Sequence, residues 1–339
     1  MTVLVTGAAG FIGFHVCRAL LERGERVIGV DDLNNYYDVA LKKSRRDQLV
    51  GRNNFNFELG DIAEPGTVAA LFETYEGITR VVNLAAQAGV RYSLDHPEPY
   101  VQTNVVGHLH VLEACRHAPD FEHLVYASSS SVYGGNDTLP FAVEDRVDRP
   151  VSLYAATKRA GELMSQTYAH LYKLPQTGLR FFTVYGPWGR PDMSAYIFTR
   201  AILAGEPIHV FNRGEMRRDF TYIDDITAGV LAALDRPPSA ELGGDLGDPS
   251  DPGDGAALPH KLYNLGNNRA EALMDFIATV EEACGRKAEI IFEPMQPGDV
   301  RETYADIEAS RRDLGFEPRT TIAEGVPKFV AWFRDYHGV

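Results

Sequence analysis

The run Gly7-Ala8-Ala9-Gly10-Phe11-Ile12-Gly13 constrains this chain more than any other feature, because of where it falls. Val3-Leu4-Val5-Thr6 before it reads as a fully buried strand, and Phe11 to Arg23 after it reads as a helix. Glycines at that junction let the backbone turn tightly, let a pyrophosphate approach it closely, and let the helix lie near the strand. The helix N-terminus then offers free N–H groups and a positive dipole end to phosphates. The spacing is G-x-x-G-x-x-G rather than G-x-G-x-x-G, so position carries more weight than pattern. Gly24 is a plausible helix stop, and Arg26 to Val30 reads as the second strand. Asp31 follows it, eighteen residues past Gly13. A carboxylate there accepts both adenosine ribose hydroxyls and repels a 2′-phosphate, which favours NAD over NADP.

Further apolar runs at Phe55 to Leu59, Arg80 to Leu84, Leu124 to Tyr126 and Gly178 to Phe182 are spaced for crossover helices. The expected fold is therefore α/β: a doubly wound parallel sheet (Rossmann type) with its ligand beyond the carboxyl ends of the strands. Asp61-Ile62 after the third strand would meet the adenine edge. The small residues in Leu84-Ala85-Ala86 after the fourth would let backbone approach the cofactor. After about Thr183 the chain becomes richer in Pro, Gly and aromatic residues. We expect a dinucleotide domain over 1–182, with a return to the sheet near 220–235. A smaller C-terminal α/β substrate-binding domain then spans 183–339. Within it, 236–261 carries Pro237-Pro238, Gly243-Gly244 and four aspartates, and reads as a flexible acidic insertion.

Composition excludes some classes. Of 339 residues 45% are hydrophobic, ample for a buried core, and the formal net charge is −14. That balance argues against nucleic-acid binding by general basicity. No apolar run is long enough to span a membrane. Met1 to Val5 runs straight into the glycine motif, leaving no room for a leader, and Cys17, Cys115 and Cys284 lie far apart. Buried free thiols in a cytoplasmic protein, with no zinc or other metal site, are the expectation.

The chemistry is signalled further along. Tyr154 and Lys158 form Y-x-x-x-K, which shares one face of a helix, so an ammonium would sit near a phenol and lower its pKa toward that of a general base. Upstream, Ser128-Ser129-Ser130-Ser131-Val132-Tyr133-Gly134 follows another strand, and its hydroxyls would hold a substrate alcohol against the tyrosine. Each signal alone is ambiguous: a surface pair and a polar loop are the bland readings. The order glycine turn, acid, serine run, Y-x-x-x-K is not.

In that order the chain resembles the extended short-chain dehydrogenase/reductases along nearly its whole length, and within them the NAD-dependent nucleotide-sugar epimerases. The resemblance implies that Gly7, Gly10, Phe11, Ile12, Gly13, Asp31, Asn35, Asp61, Ile62, Leu84, Ala85, Ala86, Asn104 and Phe181 bind NAD. It makes Tyr154 the base, Lys158 the contact of the nicotinamide ribose, and Ser129 the catalytic hydroxyl, with Ser130 and Ser131 bordering the sugar. Similar 4,6-dehydratases carry Asp-Glu just before Val-Tyr-Gly and uronate decarboxylases a Glu. Serines at 130 and 131 cannot do that acid–base work. The stretch Phe181 to Met193 is similar to that of UDP-glucuronate 4-epimerases, which implies that Thr183 and Arg190 hold a sugar carboxylate, with Met193 beside them. A guanidinium and a hydroxyl suit a carboxylate physically. Arg218 matches an arginine that meets the UDP pyrophosphate. Asp299 and Arg301 are further candidates for the uridine diphosphate end, and Val210 and Phe211 for the uracil, with core packing the alternative.

The implied activity is interconversion of UDP-glucuronate and UDP-galacturonate through transient C4 oxidation by tightly held NAD. The alternatives are a UDP-glucuronate decarboxylase, a UDP-glucose/galactose 4-epimerase, and a catalytically silent NAD-binding sensor. The resemblance also suggests a homodimer built from the helices near 105–116 and 155–172, although their apolar faces could equally be core.

Overall fold

A strand buried on both faces must carry apolar residues toward both sides, and Thr2–Thr6 does: all five residues are buried. In the computed structural model, which describes residues 1–239, 258–296 and 300–339, this strand, β1, leads through the glycine turn into α1 (Phe11–Glu22). Next come β2 (Arg26–Asp31), α2 (Val39–Leu49), β3 (Phe55–Leu59), α3 (Thr67–Thr74) and β4 (Ile78–Asn83). Two short helices, α4 (Tyr92–Asp95) and α5 (Glu98–Val101), run through a π-helical turn over Gln102–Gly107 into α6 (His108–His117). Strand β5 (His123–Ser129), a 3-10 turn at Ser130–Tyr133, α7 (Leu153–Tyr172) and β6 (Gln176–Phe181) follow. Then come β7 (Thr183–Tyr185), α8 (Ser194–Ala204), β8 (Ile208–Phe211), β9 (Arg217–Arg218), β10 (Phe220–Tyr222) and α9 (Ile223–Leu234). The chain closes with β11 (His260–Leu265), β12 (Glu271–Ala272), α10 (Leu273–Cys284), β13 (Ile290–Glu293), α11 (Glu308–Leu314) and α12 (Ile322–His337).

Seven strands form one parallel sheet in the order β11-β6-β5-β4-β1-β2-β3. The chain winds outward from β1 to β3 and then returns to β4 on β1's other side. The carboxyl ends of β1 and β4 therefore flank the switch point where such sheets bind ligands. Side-chain alternation divides the core. Val3 and Val5 join a cluster with Phe14, Cys17 and Val230, whereas Leu4 joins Val81, Val111 and Leu112 on the opposite face. Burying a leucine such as Leu4 contributes roughly 2 kcal/mol. Cys17, Cys115 and Cys284 are free and buried. Among the described residues no helix is long and apolar enough to cross a membrane, and no cluster of His, Cys, Asp or Glu could hold a metal ion.

Two boundaries differ from the sequence expectation. Residues 220–235 return to the sheet as a helix rather than a strand: β10 pairs with β7 in a separate two-stranded sheet, while α9 packs on β5 and β6 of the main sheet and on α1. The seventh strand is β11, which begins at His260, inside the stretch 236–261 expected to be an insertion. Leu262, Tyr263 and Leu265 are buried there, apolar enough to close the β6 edge, but a run of acidic residues precedes them and masks the signal. Residues 240–257 of that stretch lie outside the described residues.

Candidate active site

A cavity of about 1380 Å³ opens along the carboxyl ends of the sheet and continues to β8 and β9. At one end its wall is backbone. Gly7 has φ +68°, and a Cβ there would stand 2.8 Å from the Ala85 nitrogen; at Gly13 it would stand 2.0 Å from the Gly7 carbonyl oxygen. Only glycine lets β1, α1 and the end of β4 come this close. Gly10 caps α1 with no side-chain hydrogen bond, and Gly7, Gly10, Phe11, Ile12 and Gly13 all line the cavity. The first-turn N–H groups of α1 and its dipole thus suit an anionic group. Thr6 fixes the opposite lip: its Oγ1 accepts from the Ala85 N–H at 3.0 Å and donates to Asn83 at 2.6 Å.

Asp31 ends β2 and accepts from the Ala9 N–H at 3.0 Å and the Leu33 N–H at 2.8 Å. Four lone-pair sites on a carboxylate leave it capacity for a ribose diol. Burial pushes its carboxyl above the ordinary range, against those two hydrogen bonds and the charge of Lys42. Lys42 also lines the cavity and donates to Asn34 at 2.8 Å; sequence reasoning missed it, because nothing local marks a lysine on α2 as facing Asp31. Asp61, Ile62, Leu84, Ala85, Ala86 and Phe181 line the same end. The glycine cradle, the free helix end and the carboxylate together fit a dinucleotide.

Where β5 runs out the serines part company. Ser128 is buried and donates to Glu162 at 2.6 Å, behind the sheet. Ser129 caps the following turn, accepting from the Ser131 N–H at 3.1 Å and donating to the Ser131 hydroxyl at 3.2 Å, and its hydroxyl bears on the Tyr154 phenol. Tyr154 and Lys158 project from the first turns of α7, whose N-cap Ser152 accepts from the Ala155 N–H at 3.2 Å. Lys158 Nζ lies 6.0 Å from the Tyr154 ring centroid and donates to the Ala127 carbonyl at 3.0 Å. Burial brings its pKa down to about 8, against the pull of Glu162.

The expected pKa effect on the tyrosine takes a different form. Burial holds the phenol above the ordinary tyrosine range, and the influences that favour phenolate are the Ser129 hydroxyl and the charge of Arg190. Lys158 has its proton directed at Ala127 instead. Glu162 itself is held below the ordinary carboxylate range, because Arg180 overcomes the cost of burial. Arg180 grips it at 2.8 and 3.0 Å and also donates to Tyr133 at 3.0 Å. This buried pair, which the sequence reading missed, ties α7 to β6, and the Ser128 bond adds β5 to the same group.

The other end of the cavity is made of side chains. Thr183, Arg190 and Met193 line it with Ser129, Ser130, Ser131, Tyr154 and Lys158. Arg190 donates Nε to Asp192 at 3.0 Å and a second N–H to its other oxygen, while the Tyr36 hydroxyl donates to Asp192 at 3.1 Å. Asp192 and Tyr36, both unforeseen, line the cavity as well. Farther out, Phe211 meets the Arg91 guanidinium 4.4 Å from its ring centroid, and Arg218 donates to the carbonyls of Arg217 and Arg301 at 2.9 and 3.0 Å.

Several candidates stand apart from this wall. Asn104 directs its side chain to the Gln87 backbone and to Thr157 at 2.9–3.1 Å, so it fixes the loop behind the cavity. Asn35 is not in the lining, whereas Asn34 is. Val210 is fully buried in the core, since alternation along β8 turns Phe211 inward and Val210 away. Arg301 contributes its carbonyl to β9, and its side chain is exposed. Asp299 lies outside the described residues.

A family model described as the NAD dependent epimerase/dehydratase family matches residues 3–246. UDP-glucuronate 4-epimerase 1 of Arabidopsis thaliana is 47% identical over 342 residues, covering 100% of this chain and 78% of that protein. Among solved structures, UDP-glucuronic acid 4-epimerase from Bacillus cereus, in complex with UDP-glucuronic acid and NAD, is similar with a TM-score of 0.87 and 31% identity. The match covers 99% of this chain and 100% of that one. A UDP-glucose 4-epimerase from Thermotoga maritima, with UDP-glucose, has a TM-score of 0.85 at 29% identity, over 99% and 100% of the two chains.

Proposed function

This chain belongs to the NAD dependent epimerase/dehydratase family, and we propose that within it the protein interconverts UDP-glucuronate and UDP-galacturonate. One observation carries the reading. A guanidinium, Arg190, shares the cavity with the Ser129–Tyr154 pair and bears electrostatically on its phenol. A neutral hexose has no use for that charge, whereas a uronate carboxylate does. With Ser130 and Ser131 flanking the sugar, the site has no carboxylic acid there to assist elimination or carbon dioxide loss.

Tyr154, as phenolate, takes the proton of the sugar C4 hydroxyl, which Ser129 orients by hydrogen bonding. NAD, when bound, supplies the acceptor for the C4 hydride and its return to the opposite face. Gly7, Gly10 and Gly13 would hold its pyrophosphate, Asp31 the adenosine ribose, and Lys158 the nicotinamide ribose. The resulting 4-keto sugar turns about its diphosphate, which Arg218 anchors, with Phe211 at the uracil. That ketone and the C5 carboxylate form a β-keto acid, which loses carbon dioxide when the carboxylate bond aligns with the carbonyl π system. Arg190 and Thr183 hold the carboxylate out of that alignment.

On this reading the chain from residue 183 onward, apart from α9 and β11, serves the nucleotide sugar. Leu109 on α6 and Leu163, Leu171 and Tyr172 on α7 are exposed apolar residues that support a homodimer through those helices. Three free, buried thiols suit a cytoplasmic setting. Incubation with UDP-glucuronate, followed by NMR, should give UDP-galacturonate with C4 hydrogen retained in deuterated water. Tyr154→Phe should lower kcat by about 10³-fold while leaving the NAD content unchanged. Carbon dioxide as the main product, faster turnover of UDP-glucose, or inertness would each replace the assignment.

A further inference from the structure

Arg45 reads in the sequence as one of a basic run on the surface of α2, yet its side chain is fully buried. Among the described residues no salt bridge reaches it. Its guanidinium donates instead to the carbonyls of Trp188 at 2.8 and 3.1 Å, Gly189 at 3.2 Å and Ala9 at 3.1 Å, and to the Tyr37 hydroxyl at 2.7 Å. A cation taken out of water is costly unless hydrogen bonds replace its hydration. Here the carbonyls come from two places far apart in sequence. Ala9 sits in the glycine turn, where its N–H holds Asp31. Trp188 and Gly189 immediately precede Arg190.

The loop that Arg45 holds is not one the backbone adopts readily. Gly186 has φ +143° and Trp188 has φ +64°, a left-handed conformation that a bulky residue keeps only when its surroundings impose it. His15 Nε2 contacts the Pro187 carbonyl oxygen at 3.0 Å, and the Trp188 ring lies among Phe14, Trp332 and Tyr336. Arg45 is the group that joins this loop to the cofactor turn. A planar fork reaches three carbonyls at once; an ammonium does not.

We propose that Arg45 is a positioning residue that locks the Arg190-bearing loop to the glycine turn, so that the sugar carboxylate is met correctly only when both are in register. This rests on the assignment of Arg190 to the carboxylate made above.

The test is a double-mutant cycle of Arg45→Lys and Arg190→Ala. Arg45→Lys should raise KM for UDP-glucuronate about 10-fold with kcat within ~3-fold, and enlarge the UDP-pentose by-product, while NAD stays bound. In the Arg190→Ala background the same change should add nothing to KM, since the residue it acts through is gone. Additive effects, an unchanged KM, or loss of the cooperative thermal transition in Arg45→Lys would overturn the proposal. Trp188 reports on the loop without any substrate. In a Trp332→Phe background, Arg45→Lys should shift and broaden its emission, and an unaltered spectrum counts against the coupling. Wild-type protein that forms no UDP-galacturonate would refute the substrate reading alone and leave the fluorescence result to judge Arg45.

Discussion

The two ends of the cavity are built from different material. At the cofactor end the surface is main chain: Gly7, Gly10 and Gly13 on one lip and Ala85 and Ala86 on the other, with Asp31 the principal charged group. At the sugar end it is side chain: Ser129 at the end of β5, Tyr154 on α7, Arg190 and Asp192 in the loop before α8, and Arg218 on β9. A backbone surface is defined by what must be absent, because any added atom fills the space the ligand or the neighbouring strand occupies. A side-chain surface is defined by what must be present. The first end should therefore fail on addition and the second on deletion.

The largest effect should come from adding one methyl group. Gly13→Ala places a Cβ 2.0 Å from the Gly7 carbonyl oxygen, too near for either atom to stay where it is. Because the obstacle is backbone, α1 must move off β1, at a cost of about 3 kcal/mol in overpacking. NAD should no longer co-purify, activity should vanish with it, and the thermal midpoint should fall. Gly13→Ala that retained NAD stoichiometrically would break the contrast at its root.

Lys158 stands where the two ends meet, and its effect is next in size. Its folded pKa, brought down by burial to about 8, lies below the ordinary 10.5 of the unfolded chain. Between those values the unfolded state binds the proton that the folded state has released, so this group's contribution to stability rises with pH across that window. The gap corresponds to roughly 3 kcal/mol. Relative to Lys158→Met, wild-type protein should therefore be least favoured below pH 8 and recover most of that difference by pH 10.5. Urea unfolding of both proteins across the range measures it. A constant difference would mean the ammonium is better solvated than its burial implies.

The same contrast explains what could be read from sequence. The cofactor end occupies a contiguous run plus one acid at the end of the next strand, so Gly7 to Gly13 and Asp31 were legible from spacing. Tyr154 and Lys158 were legible because a helix fixes the relation of i to i+4. The sugar end was legible in pieces. Ser129 was found, but only the fold separates it from Ser128, which turns to Glu162. Asp192 was in plain view beside Arg190, yet a carboxylate two residues from an arginine predicts no pair until the loop is bent. Lys42 and Arg45 carry no local signal at all. Asn104 and Val210 took the structural alternative the sequence had left open, because residue type cannot tell a side chain that faces a ligand from one already engaged by backbone or core. The sheet itself followed from its apolar runs, except for β11, whose partner β6 lies far back in the chain.

The smallest and most selective effect belongs to Arg190→Ala. Loss of a charge-assisted contact to the substrate carboxylate costs about 2 kcal/mol, or roughly 30-fold in KM. The neighbouring acid makes the loss worse. Arg190 at present holds Asp192 below the ordinary carboxylate range despite its burial. Without it, Asp192 would keep only the Tyr36 hydroxyl and would face an incoming carboxylate of the same sign. The defect should thus be confined to uronates, with UDP-glucose binding nearly unchanged, and Asp192→Asn in the Arg190→Ala background should restore a few-fold of the lost affinity. The freed carboxylate of the 4-keto intermediate should also sample the alignment that expels carbon dioxide, so a UDP-pentose should accumulate. Calorimetry with both sugars and NMR of the products read the three effects separately. An Arg190→Ala protein that lost UDP-glucose as badly as UDP-glucuronate would show that this arginine shapes the loop rather than meeting the sugar, and the side-chain end would then be less distinct from the backbone end than its geometry implies.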